Sequence, residues 1–399
     1  MNTSIRRRAL TGTALALAVS TVLTACGGED SSTDAKAHDT ASPTPAAAVK
    51  DPLVATFEGG LYILDGETLE LAGTVELPGF NRVSPAGDED HVIVSTDSGF
   101  RVLDATGQTL TDIEYQGSKP GHVVRHAGRT ALFTDGTGEV NVFDPTGLGT
   151  GKKPATRTYT SAEPHHGVAI ELENGELLST LGTDEKRTGA LVLDKNNKEI
   201  ERNEKCPGVH GEAAARNEAV AFGCEDGVLI YKDGRFTKVD APDDYGRIGN
   251  QAGSDASPVL LGDYKSDPEA ELERPTRVSL IDTEKATLRL VDLGTSYSFR
   301  SLARGPEGEA LVLGTDGAIR VIDPVSGEID KKIPVVGEWR EPLDWQQPRP
   351  TLFVRGGTAY VSEPGKKALH AVDLATGEKT TSVTLPQSTN ELSGVVAGH

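Results

Sequence analysis

Residues 130–144 read TALFTDGTGEVNVFD, two apolar runs joined by a glycine-bearing turn, the second ending on Asp144. That second run has counterparts along the chain: LYILD ends at Asp65, RVLD at Asp104, LVLD at Asp194 and LIYKD at Asp233. SLID at Asp282, RVID at Asp323 and HAVD at Asp373 continue the series. Successive aspartates, Asp144 included, lie 39, 40, 50, 39, 49, 41 and 50 residues apart. An earlier apolar run precedes most of them, as in HVIVST (91–96), EAVAFG (218–223) and EALVLG (309–314). Short apolar runs with turn signals roughly every 8–12 residues predict β-strands, and no sustained 3.6-residue period competes. A repeat of about 40–50 residues holding four short strands is the signature of propeller blades. The recurrent aspartate reads as a cap on the turn into the outer strand, with no chemistry assigned to it.

Eight runs predict an all-β protein, a β-propeller of eight four-stranded blades spanning residues 52–399. A seven-blade ring, with one run miscounted, is the alternative. The first run has no inner strand before it, and a spare apolar strand, Leu392 to Ala397, lies at the far end. That strand is expected to complete the first blade and close the ring, so its loss unfolds the domain.

Upstream of the repeats the composition changes. Arg6, Arg7 and Arg8 precede an apolar stretch from Ala9 to about Leu23 that is too short and too rich in Ala and Thr to span a bilayer. It ends in Leu23-Thr24-Ala25-Cys26, which resembles a bacterial lipobox. Residues 1–25 therefore read as a lipoprotein signal peptide and Cys26 as the lipidation site. An ordinary signal peptide cut nearby is the other reading. Lipidation places the chain outside the cytoplasm, anchored to the outer face of the cell membrane without spanning it. Residues 26–51, mostly Ser, Thr, Ala, Asp and Pro, form a tether with a reach on the order of 25–30 Å.

With Cys26 assigned to lipid, Cys206 and Cys224 remain as an even pair in an oxidising compartment, where a disulfide is expected. Such a bridge contributes about 3 kcal/mol in the chain-entropy account. Two thiolate metal ligands are the competing reading. The net charge is −20, and cleavage of residues 1–25, which removes three arginines and no carboxylate, takes it to −23. Phosphate repulsion then argues against nucleic acid as a partner, and cations are compatible.

The start of each innermost strand points side chains at a propeller's axis. There the sequence reads Gly121-His122-Val123-Val124, His165-His166-Gly167-Val168 and Val209-His210-Gly211-Glu212. His122, His166 and His210 are spaced 44 and 44 residues apart, one blade each. The corresponding positions elsewhere read as Arg82, Arg247, Arg300, a residue near Trp345, and Ser393. Three imidazoles with one open position make an exchangeable tetrahedral Zn²⁺ site, and copper or nickel would accept the same donors. Water, His165 or Glu212 are candidates for the fourth donor, and His126 faces either the channel or the blade interior. Gly167 and Gly211 would let backbone and metal approach closely. A histidine at a strand end is also a common hydrogen-bonded structural residue, and His91 and His370, placed in outer strands, read that way. A disulfide there would pin the Cys206-Pro207-Gly208-Val209 approach and hold His210 in place, or simply staple an exposed blade.

Pro164-His165-His166-Gly167-Val168 and Cys206-Pro207-Gly208-Val209-His210-Gly211-Glu212 resemble the AztD-type zinc metallochaperones, and the resemblance extends over residues 52–399. It implies an extracytoplasmic β-propeller that binds zinc and hands it to the solute-binding protein of a zinc ABC importer, with no enzymatic activity. The family's His-rich N-terminal segment has only His38 to match it here. Two other classes remain open. One is a propeller hydrolase or lactonase using a metal at the same histidines, although no carboxylate–histidine pair stands out as acid and base. Only Trp339 and Trp345 offer stacking for a quinone cofactor. The other is a metal-free interaction scaffold in which the histidines only pack.

Overall fold

A computed structural model of the chain describes residues 47–396. The signal peptide, Cys26, nearly all of the tether with His38, and His399 lie outside the described residues. Within them, eight antiparallel sheets follow one another around a ring. The second blade shows the plan: Arg82–Pro85 is innermost, followed outward by His91–Ser95, Gly99–Asp104 and Thr109–Gln116. The third blade repeats it with Pro120–His126, Arg129–Thr134, Glu139–Phe143 and Thr156–Thr160. In the first blade Leu53–Phe57, Gly60–Leu64 and Leu71–Glu76 are completed on the inside by Thr389–Gly394, with Leu53 opposite Gly394. Eight blades are present, and the C-terminal strand closes the ring.

The packing explains the apolar runs. The second and third strands of a blade are covered on both faces by neighbouring blades, so His91–Ser95 and Gly60–Leu64 are buried at every residue. Outermost strands alternate, as Lys379–Thr384 does, because one face meets water. The core is a series of seams between adjacent blades. Val54, Ile63, Val92 and Leu103 join the first two, and Val259, Leu280, Ala310 and Ile322 join the sixth and seventh.

The repeated aspartates cap the turns into the outermost strands. Asp65 accepts from the backbone N–H of Thr68 at 2.8 Å, Asp323 from those of Ser326 at 2.5 Å and Val325 at 2.8 Å, and Asp373 from that of Thr376 at 2.7 Å. These donors hold all three carboxyls below their ordinary range. Asp233 departs from the pattern. It sits at positive φ beside Gly234 in a two-residue hairpin between Lys232 and Arg235, where backbone handedness rather than a cap is needed.

Three expectations are corrected. Residues 49–51, assigned to the tether, pack on the propeller: Val49 is buried in the seam between the first two blades and donates to the Thr106 carbonyl. His91 starts a second strand and His370 lies in a third strand, neither of them outermost. Both are buried and hydrogen-bonded, to Asp88 and to Ser382 and Glu363. The eighth blade's innermost strand is Leu352–Arg355, well beyond Trp345, whose ring is exposed and meets Phe80 edge-on. Among the described residues no helix is long and apolar enough to cross a membrane.

Candidate metal centre

Residues from the innermost strands of all eight blades or from the turns that follow them surround a cavity of about 840 Å³ at one end of the axis. At the other end, where those strands begin, the structure brings His122, His166 and His210 together. One ring nitrogen from each lies within 4.8 Å of the other two. The ring centroids are 5.2 Å apart for His122 and His166, 5.5 Å for His122 and His210, and 4.9 Å for His166 and His210.

Local irregularity positions each ring. In the third blade the pairing slips between Pro120 and Val123, so His122 lies on a bulge of the innermost strand. In the fifth blade, built from His210–Ala215, Ala219–Cys224, Asp226–Lys232 and Arg235–Asp240, the pairing slips between His210 and Glu212. Gly211 makes that bulge at positive φ, and a Cβ there would meet the Gly249 carbonyl at 2.8 Å. His166 precedes the fourth blade's innermost strand, Ala169–Glu171. Its neighbour His165 turns inward, bonding the Glu163 carbonyl at 2.9 Å and the Thr180 hydroxyl at 3.1 Å, and so anchors the segment. Gly167 is required by packing, since a Cβ would fall 2.4 Å from Phe133 and 2.6 Å from Thr180 Oγ1. That corrects the expectation that this glycine makes room for a metal.

The outward nitrogens of two rings are spoken for. His210 Nδ1 donates to the Gly249 carbonyl at 2.5 Å, and His166 Nδ1 meets Asp135 Oδ2 at 2.5 Å. A carbonyl and a carboxylate can only accept, so both protons sit on Nδ1 and both Nε2 lone pairs point inward. Those two Nε2 atoms are 3.0 Å apart. Around a tetrahedral zinc two nitrogens stand about 3.3 Å apart. Burial first, and then the neighbouring rings, depress the pKa of His122 well below the imidazole range. Burial, followed by His166, takes His210 down to about 3. Both are therefore neutral donors at physiological pH.

The other candidates do not join the cluster. His165 is committed as described. Glu212 lies beyond the bulge and lines the large cavity at the opposite end, where burial raises its carboxyl to about 8. His126 also lines that cavity and pairs with Glu218 at 3.1 Å. No carboxylate–histidine pair stands out in the sequence as acid and base; the fold pairs Asp135 with His166, Glu218 with His126, Asp88 with His91 and Glu363 with His370. Asp135 and the Gly249 carbonyl are the partners that sequence reading missed. The Asp135-Gly136 pair was the available signal, and it reads as a turn. A disulfide joins Cys206 and Cys224. Cys224 follows Gly223, the residue opposite His210, and its carbonyl accepts from Ile248 beside Gly249. The bridge thus braces both His210 and its hydrogen-bond acceptor.

No family model matches the chain. A curated relative, the zinc chaperone AztD of Citrobacter koseri, is 27% identical over 293 residues, covering 71% of this chain and 67% of its own. The structure of apo AztD from that organism superposes with a TM-score of 0.73 at 23% identity, over 86% of this chain and 97% of its own. A second AztD structure from Citrobacter koseri gives a TM-score of 0.73 at 22% identity, over 87% and 98%. At these identities the structural matches speak for the fold. This chain shares the AztD fold along most of its length and resembles the zinc chaperone AztD in sequence.

Proposed function

We propose that this protein is a zinc metallochaperone that holds its cargo on His122, His166 and His210 and releases it by ligand exchange. The observation that carries this reading is the pair of inward Nε2 lone pairs 3.0 Å apart, each fixed by a proton donated elsewhere. Two lone pairs at that separation repel unless a cation lies between them. A structural histidine pair would instead share a proton. The His166 side chain is 45% exposed, so an incoming donor can reach the metal without unfolding a blade. Exchange proceeds stepwise: a partner's imidazole or carboxylate takes one coordination position as one of these rings leaves. No covalent chemistry is needed, and Asp135 serves to orient His166 rather than to move protons on a substrate.

In this reading the chain works outside the cytoplasm, anchored through Cys26, and delivers zinc to the zinc-specific solute-binding protein of an ABC importer. The likeness to a protein named a zinc chaperone supports the cargo. The test is calorimetric titration of the purified protein with zinc beside a His122/His166/His210 triple alanine variant. One tight site in the wild type and none in the variant is expected. Equal heats in both would reduce the three rings to packing. Chelator-sensitive hydrolysis of a lactone would move the protein into the enzyme class.

A further inference from the structure

A second cavity, of about 440 Å³, opens beside the histidine cluster, with His166 and His210 in its wall. Arg187 and Arg247 line it too, with Lys119 and Lys186 and the carboxylates of Asp135, Asp184 and Glu185. In this acidic chain the arginines Arg157, Arg202, Arg300, Arg320 and Arg349 each hold a carboxylate within 3.0 Å. Neither Arg187 nor Arg247 has a carboxylate within ion-pair distance among the described residues, and the guanidinium of Arg247 makes only a long contact, to the Gly208 carbonyl. Both residues are half-buried. Burial, and then the nearness of Arg247, depress the pKa of Arg187, while Glu225 and Asp135 act on it only from a distance.

Two guanidinium groups without an ion-pair partner beside a cation site are unfavourable by Coulomb's law, and a bound zinc ion makes the balance worse. Asp135, the carboxylate hydrogen-bonded to the cluster, already serves His166. We infer that Arg187 and Arg247 form an anion subsite that takes a carboxylate, placing it where it can complete the metal's coordination. This rests on the zinc-binding reading above. The arrangement makes zinc binding and carboxylate binding mutually reinforcing, since each ligand relieves the repulsion the other would meet alone. For a protein that surrenders its cargo, the carboxylate fitting this description is an Asp or Glu side chain of the acceptor, and a free organic acid would share its chemistry.

The experiment is zinc affinity of the full chain, measured by competition with an indicator in acetate-free buffer and again with acetate. A third arm uses a short peptide with a single Asp, beside its Asn counterpart. Acetate is expected to tighten zinc binding several-fold in the wild type. The Arg187→Gln/Arg247→Gln variant is expected to bind zinc on the order of tenfold more tightly than wild type without acetate, having lost two repelling charges, and to ignore acetate. Arg187→Lys, which keeps the charge, should retain the response, and it serves as the test if the double variant does not fold. A response to the Asp peptide at lower concentration than to acetate assigns the source to a protein side chain, and equal responses assign it to a free acid. Zinc binding that is indifferent to acetate in the wild type, or equally responsive in the double variant, overturns the subsite and leaves the histidine site standing. Absence of zinc binding in the wild type overturns the histidine site itself.

Discussion

The two halves of the channel mouth use the same backbone positions for opposite ends. On the third to fifth blades three imidazoles face one another with their inner nitrogens unpaired. On the remaining blades Arg82, Asn250, Arg300 and Thr351 are tied across blade boundaries. Arg300 donates to Glu391 at 2.8 Å and to Asn390, Arg82 donates to the same Glu391 at 3.1 Å, and Thr351 donates to the Asn390 carbonyl at 3.1 Å. Asn250 donates to the Phe299 carbonyl at 2.6 Å. One half spends its polar groups on ring closure, and the other keeps them for a ligand. Stability and binding are thereby divided between two arcs of a single ring.

That division can be broken most severely from the tied side. Deleting residues 389–399 removes the inner strand of the first blade together with Glu391, and no cooperative thermal transition is expected by circular dichroism. A deletion that leaves a two-state melt would mean the ring tolerates an open first blade. Next in size is His122→Ala. It should weaken zinc by more than about 100-fold, the upper end of what losing a mere supporting partner costs, while the melting temperature of the metal-free protein stays put. Glu391→Gln tests the converse. It leaves Arg300 buried without its counter-charge and should destabilise the fold by about 3 kcal/mol or more in urea, with zinc affinity unchanged. Asp135→Asn sits on the binding side and should weaken zinc by about 10–100-fold without a comparable loss of stability.

The last effect is in acid. His210 is neutral in the folded metal-free protein down to about pH 3 because burial and His166 disfavour its charge. In the unfolded chain it takes a proton near pH 6.5. The unfolded state therefore binds more protons between those values, and stability contributed by the neutral ring, full above about pH 6.5, is lost as pH falls. Melting temperatures of metal-free wild type should decline over that window more steeply than those of His210→Ala. Parallel curves would remove the depressed histidine from the account.

The blade count was legible because the third strand of most blades ends on an aspartate whose side chain must satisfy backbone N–H groups of a tight turn. The histidines were legible because one blade separates them. What the sequence concealed has two physical origins. Bulges invert the two-residue alternation, so Glu212, two positions from His210, faces the far cavity instead of sharing its surroundings. Long connections displace strand starts: Trp345 stands at the expected interval, yet the eighth blade's inner strand begins at Leu352, and Arg247 precedes the sixth blade's inner strand, Gln251–Ala252. Glu391, not Ser393, is the first blade's contribution to the polar ring. The Gly249 carbonyl had no sequence signal, since every residue carries a carbonyl and only the fold decides which one meets an imidazole.

Ring closure also sets a clock. The N–H of Glu391 donates to the Thr56 hydroxyl at 2.9 Å across 335 residues of chain. In a chain emerging from its N-terminus, Leu53–Phe57 must wait for almost all the rest before its inner neighbour exists. Until then its edge stays unpaired and exposed to any passing strand. The three histidines come from blades that are contiguous in sequence, and the Cys206–Cys224 bridge joins neighbouring segments of that same stretch. The binding arc can therefore assemble while the ring is still open, and the last residues to emerge decide when the molecule is finished.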